Sequence, residues 1–135
     1  MRGVLVDAGP LVAIIDADDA FHERCVQALS EIQEPLFTVW PVVIEAMHLL
    51  GAPAAQQRLW DIFDDGRVEL LALDAADIPR MRVLMAKYAD LPMDLADAAL
   101  VRIAERETLN TVFTTDRSDF GVYRLEGGKR LRLLP

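Results

Sequence analysis

The sequence predicts an α/β fold, a single domain over residues 1–135 with a central parallel sheet of four or five strands between two layers of helices. Two observations support this prediction. Short β-prone runs alternate along the chain with helical patterns, which is typical of βαβ units. Hydrophobic residues make up 53% of the chain, enough for a substantial core.

The first half of the chain supplies two strands and four helices. Val4, Leu5 and Val6 are consecutive apolar residues, the pattern of a strand buried on both faces, and Gly9-Pro10 then opens a helix that continues to Ile15. The later elements of this half are a helix from about Ala20 to Ile32 capped by Asp18 or Asp19, a strand over Leu36–Trp40, a helix from Pro41 to Gly51, and a helix over Pro53–Phe63 with Leu59, Trp60 and Phe63 in the core.

The second half continues the alternation and ends in a predicted hairpin. Gly127-Gly128 is a turn signal that would join two short strands. The predicted elements are a strand over Val68–Leu73, a helix capped by Asp74 that reaches about Tyr88, a helix over Leu95–Glu107 capped by Asp94, a strand over Thr111–Asp116, and hairpin strands at Gly121–Arg124 and Arg130–Leu134.

Charge and composition limit the classes of function. The net charge of −8 argues against a general nucleic-acid binder, because phosphates are attracted to basic surfaces. Basic residues are concentrated in residues 117–135, which carry a local charge of +3 and by default form a solvated face. No apolar run is long enough to cross a membrane, and the single cysteine, Cys25, suits a reducing compartment. We therefore expect a soluble cytoplasmic protein with Cys25 in the core or at an interface.

Four acidic residues are predicted to meet at one edge of the sheet. Asp7 and Asp116 each end a strand, and in open α/β sheets the carboxyl edge is where ligands bind. Glu45 lies early in a helix that starts at that edge, and Asp97 lies in the first turn of another helix, surrounded by small and apolar residues. Asp7 taken alone fits a helix cap equally well. The convergence of all four is what indicates a site.

Acidic residues that converge without basic partners favour a bound cation. Such carboxylates resist ionising together, and an oxygen-only donor set suits Mg²⁺ or Mn²⁺. Two ions about 3.5–4 Å apart can activate water and stabilise the leaving oxygen of a phosphodiester. Metal-dependent hydrolysis is therefore the predicted chemistry. Asp94 is interpreted in the first place as a helix cap and otherwise as a supporting acid, and Asp119 as either a turn residue or a supporting acid.

The order of these short motifs resembles the PIN-domain family. The motifs are Val6-Asp7-x-Gly-Pro, then Glu45 early in a helix, then Asp97-Ala-x-Leu, then Thr114-Thr-Asp116-Arg-x-Asp119-Phe, and together they span Leu5 to about Phe120. Within the family, the resemblance is to the VapC-type ribonuclease toxins of bacterial toxin–antitoxin modules. Each motif is weak alone, whereas all four in this order are fairly specific.

The resemblance implies a function and its components. It implies a three-layer α/β/α PIN-like domain that hydrolyses RNA phosphodiester bonds with Mg²⁺ or Mn²⁺. It also implies a homodimer and a small antitoxin that blocks the site. The catalytic and metal-binding acids would be Asp7, Glu45, Asp97 and Asp116, with Thr114 or Thr115 as a supporting hydroxyl. The motif does not require Asp94.

Two other classes of function are possible on the sequence. A receiver-type phospho-acceptor domain is also a small acidic α/β protein, and Val68–Leu73 followed by Asp74 resembles its acceptor strand, but Asp7 lacks the second acid that such a site needs. A catalytically silent PIN-fold binding protein is the other alternative. His22 and His48 have no matching nucleophile and are interpreted as packing or surface residues.

Overall fold

Five short strands form one parallel sheet in the computed structural model, which describes residues 1–135. Their order across the sheet is third, second, first, fourth, fifth, so the first strand lies at the centre. Leu5 pairs with Phe37 on one side and with Val112 on the other. The strands are β1 (Val4–Val6), β2 (Leu36–Thr38), β3 (Val68–Leu70), β4 (Thr111–Phe113) and β5 (Arg132–Leu134).

Seven α-helices cover the sheet. They are α1 (Ala8–Ile15), α2 (His22–Glu31), α3 (Trp40–Leu50), α4 (Pro53–Asp64), α5 (Ile78–Lys87, preceded by a 3-10 turn at Ala75–Asp77), α6 (Leu95–Glu107) and α7 (Arg117–Val122). Helix α1 packs against α2, α3 and α4, while α5 packs against α6. Right-handed crossovers place these two groups on opposite faces, because the chain moves across the sheet first in one direction and then in the other. The predicted α/β/α fold is confirmed.

The core lies between the central strand and the helices. All three residues of β1 are buried, and Ala98, Ala99 and Ile103 on α6 have no exposed surface. Cys25 and Leu59 are fully buried, as predicted. Trp60 was predicted in the core and is instead 41% exposed, with its ring against that of Trp40. None of the helices combines the length and the apolar character that crossing a membrane requires.

The predicted carboxyl-terminal hairpin is wrong. Residues 117–122 form helix α7 because the Asp116 side chain accepts a hydrogen bond from the backbone N–H of Asp119 and so caps a helix. Strand β5 pairs in parallel with β4 rather than with a strand at Gly121–Arg124. Only one antiparallel bridge, between Arg124 and Arg130, remains of the hairpin.

Three predicted strands end earlier than the sequence suggested. Val39 is the N-cap residue of α3 and Trp40 its first residue, β3 stops at Leu70, and β4 stops at Phe113. Shorter strands bring the polar residues that follow them into the loops at the carboxyl edge. The chain runs from β1 to β2 on one side and later returns to β4 on the other, so the ends of β1 and β4 flank the topological switch point of the sheet.

Candidate active site

Asp7 lies at this switch point, directly after β1. Its side chain is only 7% exposed, yet both carboxylate oxygens accept hydrogen bonds. The backbone N–H of Ala8 donates to Oδ1 at 2.9 Å, and the Thr114 hydroxyl donates to Oδ2 at 2.8 Å. The first bond makes Asp7 the N-cap of α1, so the cap and the candidate ligand are the same residue.

Thr114 connects the ends of the two central strands. Its side chain is fully buried, and while its hydroxyl donates to Asp7, the same oxygen accepts the backbone N–H of Asp116 at 3.0 Å. Of the two threonines proposed as support, Thr114 therefore contacts a site acid. Thr115 instead lies against Gly9, where an added Cβ would come within 2.2 Å of the Thr115 hydroxyl.

Asp116 and Asp119 are held by the start of α7. The backbone N–H of Asp119 donates to Asp116 Oδ1 at 3.1 Å, and the Ser118 hydroxyl reaches the same oxygen at 3.3 Å. The carboxyl group of Asp119 also lies within hydrogen-bonding reach of that of Asp116. Burial, and then the charge of Asp116, raise the pKa of Asp119.

Asp94 and Asp97 occupy the start of α6. Asp94 caps the helix as predicted, with its Oδ1 accepting the backbone N–H of Asp97 at 2.9 Å. The Tyr123 hydroxyl donates to Asp97 Oδ2 at 2.7 Å. Tyr123 was not predicted from the sequence, since nothing in the one-dimensional pattern connects a tyrosine to an acid 26 residues earlier.

Glu45 joins the cluster from α3. It is half-buried and accepts no hydrogen bond within the protein. Burial raises its pKa to about 7, and the negative charges of Asp7 and Asp94 contribute in the same direction. Asp94 therefore lies near enough for its charge to raise the pKa of Glu45, although the family motif does not require Asp94.

The cluster is short of positive charge. The pKa of Asp7 is raised to about 6 and that of Asp97 to about 8; burial is the largest cause, and the charges of neighbouring carboxylates act in the same direction. None of the four predicted acids forms an ion pair with Arg, Lys or His. Without a cation, Asp7, Glu45 and Asp97 therefore hold protons more tightly than ordinary carboxyl groups do.

Asp77, a buried acid elsewhere in the chain, shows the opposite arrangement. It is 1% exposed and forms ion pairs with Arg102 at 2.7 Å and Arg106 at 2.8 Å. Burial acts to raise its pKa, but the backbone N–H of Asp74 and the two guanidinium groups outweigh it and lower the pKa overall. The chain thus pairs a structural buried acid with arginine and leaves the acids at the switch point without such partners.

The donor set fits a hard divalent cation, although no ready-made cage is present. No group of three or more Asp, Glu, His or Cys side chains is arranged to hold an ion. Mg²⁺ commonly keeps several waters and takes only one or two carboxylates from the protein, completing its shell with substrate phosphate. Carboxylate oxygens without a basic partner meet that requirement, and a bound cation would favour their ionised form.

The remaining residues considered from the sequence lie outside the acidic cluster. His22 Nδ1 is 2.6 Å from the carbonyl oxygen of Ala13, and His48 is exposed on α3. Asp74 caps the 3-10 turn after β3, the strand at the edge of the sheet. The acceptor strand of a receiver-type site is therefore not placed beside Asp7.

Comparisons with known proteins show the family and the fold of the chain. The PIN domain family model matches residues 4–124. Ribonuclease VapC26 of Mycobacterium tuberculosis is 28% identical over 135 residues, covering 98% of this chain and all of that protein.

Two solved structures share the fold. The crystal structure of M. tuberculosis VapC20, described as a sarcin–ricin loop cleaving toxin, has a TM-score of 0.75 at 13% identity and covers 86% of this chain and 92% of its own. A toxin–antitoxin complex from Klebsiella pneumoniae has a TM-score of 0.68 at 17% identity and covers 89% and 92% respectively.

Proposed function

Because the chain belongs to the PIN domain family, we propose that it is a metal-dependent endoribonuclease of the VapC type and the toxin of a toxin–antitoxin pair. One observation carries the proposal most directly: Asp7, Glu45, Asp97 and Asp116 reach one sheet edge from four different elements, and none has a basic partner. Family membership sets the expectation, and this charge arrangement supports the chemistry.

The proposed roles follow from the environment of each acid. Asp7, Asp97 and Asp116 would hold Mg²⁺ or Mn²⁺, because each sits at a fixed backbone position. Glu45 would hold an ion or orient the attacking water, since its carboxylate is half-buried and otherwise unbonded. When bound, the metal supplies activation of water and neutralises charge on the phosphodiester. Thr114 would hold the Asp7 side chain and the Asp116 backbone in fixed positions relative to each other, because its hydroxyl is hydrogen-bonded to both. No side chain is proposed as a nucleophile, so no covalent intermediate is expected.

RNA is the proposed substrate, in single-stranded or structured form. The acidic cluster alone repels phosphate, so a metal ion must neutralise it before RNA can approach. Residues 117–135 carry the local excess of positive charge, and Arg117 directly follows Asp116. Arg117 is therefore the basic residue placed to meet RNA beside the acids, whereas Arg132 pairs with Thr111 at the opposite edge of the sheet.

The proposed protein partners are a second copy of the chain, forming a homodimer, and a small antitoxin. The proposed location is the cytoplasm. Large apolar side chains remain exposed on the helices of one layer: Trp40 at 50%, Ile44 at 68%, Leu49 at 57% and Trp60 at 41%. Such a surface is typical of an interaction site rather than of an isolated monomer. A small adjacent reading frame that encodes a DNA-binding protein would support the antitoxin part of the proposal.

The proposal is tested with purified chain freed of any bound antitoxin. We expect RNA to be cleaved with Mg²⁺ or Mn²⁺ and to remain intact in chelator. Metal binding without cleavage of any RNA would favour the catalytically silent PIN-fold protein instead. Equal cleavage in chelator would contradict the metal-dependent mechanism.

A further inference from the structure

Tyr123 provides the only side-chain hydrogen bond to Asp97. Its hydroxyl donates to Asp97 Oδ2 at 2.7 Å, and the tyrosine itself is fully buried. We propose that Tyr123 is a positioning residue that fixes the Asp97 carboxylate for metal binding. The inference rests on the proposed function, because it assumes that Asp97 binds a metal.

Aromatic packing holds the Tyr123 ring in place. The ring makes edge contacts with Tyr88 at 5.0 Å and with Phe120 at 5.1 Å between centroids. The Tyr88 hydroxyl accepts the backbone N–H of Arg124 at 2.9 Å, which anchors the chain next to Tyr123. The donor at Asp97 therefore cannot move away unless these rings repack.

The Tyr123 bond also joins two elements that each carry a site acid. Asp97 lies on α6, whereas Phe120, which packs on Tyr123, lies on α7, the helix that Asp116 caps. The hydrogen bond between Tyr123 and Asp97 thus links the helix that carries Asp97 to the helix that Asp116 caps.

A neutral donor suits a metal ligand better than a cation does. Tyr123 orients Oδ2 without cancelling the charge of Asp97, and Oδ1 accepts no hydrogen bond within the protein. The arginines at Asp77 neutralise their acid instead. Groups that orient metal ligands in this way typically affect metal affinity by 10–100-fold.

The test compares Tyr123→Phe with Tyr88→Phe. Both variants remove one hydroxyl from the same aromatic cluster, but only the first hydroxyl contacts a site acid. Thermal stability is titrated with Mg²⁺ or Mn²⁺ to give the metal dissociation constant. We expect this constant to rise by about 10–100-fold in Tyr123→Phe and to stay within about twofold of the wild type in Tyr88→Phe.

RNA cleavage gives a second readout that general damage to the fold would not reproduce. Cleavage by Tyr123→Phe should fall at low metal concentration and recover at saturating metal. A purely structural defect would persist at every metal concentration.

The outcomes separate this inference from the proposed function. A wild-type chain that shows no metal response overturns both. If metal stabilises the wild-type chain and Tyr123→Phe binds metal equally well, only the positioning role of Tyr123 is overturned. If Tyr123→Phe does not fold, the wild-type chain with ¹³C-labelled tyrosine decides, because it contains only two tyrosines. The Tyr123 Cζ resonance should then shift on adding Mg²⁺ while that of Tyr88 does not, and an unmoved Tyr123 resonance would overturn the inference.

Discussion

Replacing Asp7 with Asn should make the metal-free protein more stable above neutral pH, even though it removes a proposed metal ligand. Burial raises the pKa of Asp7 from 3.8 to about 6. Between these pH values the native state keeps a proton that the unfolded chain has released, so the free energy of unfolding falls as the pH rises. A tenfold change in proton affinity corresponds to about 1.4 kcal/mol, which gives a total loss of about 3 kcal/mol.

The size of the effect accessible to experiment is smaller than this total. About 1.5 kcal/mol of the loss falls between about pH 5 and about pH 8, a range that avoids the isoelectric point near 4.6. Asp7→Asn lacks this loss, so its unfolding free energy relative to wild type should rise by that amount. The variant also disturbs the hydrogen bonds from Ala8 and Thr114, which costs about 1 kcal/mol at every pH. The change with pH is therefore the quantity to compare.

The assay is urea denaturation in chelator at several pH values, with Asp77→Asn as the matched control. Asp77 is equally buried but paired with two arginines, so its loss should destabilise the protein at neutral pH. Breaking a buried pair costs about 3–5 kcal/mol, and the partly exposed arginines place this case at the lower end. Parallel pH profiles for wild type and Asp7→Asn would refute the account of Asp7 as a buried acid without a positive partner.

Three further predictions test the metal, the packing at the site and the association of the chain. Mg²⁺ or Mn²⁺ should stabilise the wild type by about 2.7 kcal/mol at a hundredfold excess over Kd, and Asp97→Asn should lose most of that stabilisation in a thermal melt. Gly9→Ala should cost about 1–3 kcal/mol because its Cβ would meet the Thr115 hydroxyl, whereas Gly121→Ala, with no atom nearby, should be neutral or slightly stabilising in urea denaturation. Light scattering should give a dimer, and a monomer at high micromolar concentration would contradict the proposed homodimer.

The sequence predicted those parts of the fold and site that depend on local pattern. Helix α6 was predicted with its observed bounds and its Asp94 cap, because an N-cap acid and a long apolar face are both visible in sequence. Asp7 and Asp116 could be placed at the sheet edge because each follows a β-prone run. The two central strands indeed bring both residues to the switch point.

The features that the sequence could not predict depend on contacts between distant residues. The glycine-rich turn suggested a hairpin. Instead, β5 pairs in parallel with β4, and helix α7, which Asp116 caps, lies between the two strands in the chain. The contact between Tyr123 and Asp97 depends on where the chain leaving α7 passes the first turn of α6. Trp60 was assigned to the core because it is large and apolar, yet its position on α4 leaves it 41% exposed.

The central claim is that unpaired carboxylates at the sheet edge cleave RNA through a bound metal. Its most direct test is the rate of RNA cleavage by wild type, Asp7→Asn and His48→Ala, with Mg²⁺ or Mn²⁺ and again in chelator. We expect Asp7→Asn to lose about 10²–10⁴-fold in rate, since it removes a metal ligand but keeps the shape of the side chain. His48→Ala should keep nearly the full rate, and chelator should abolish cleavage by all three proteins. Cleavage that persists in chelator, or that survives Asp7→Asn and fails in His48→Ala, would contradict the claim and indicate a histidine mechanism.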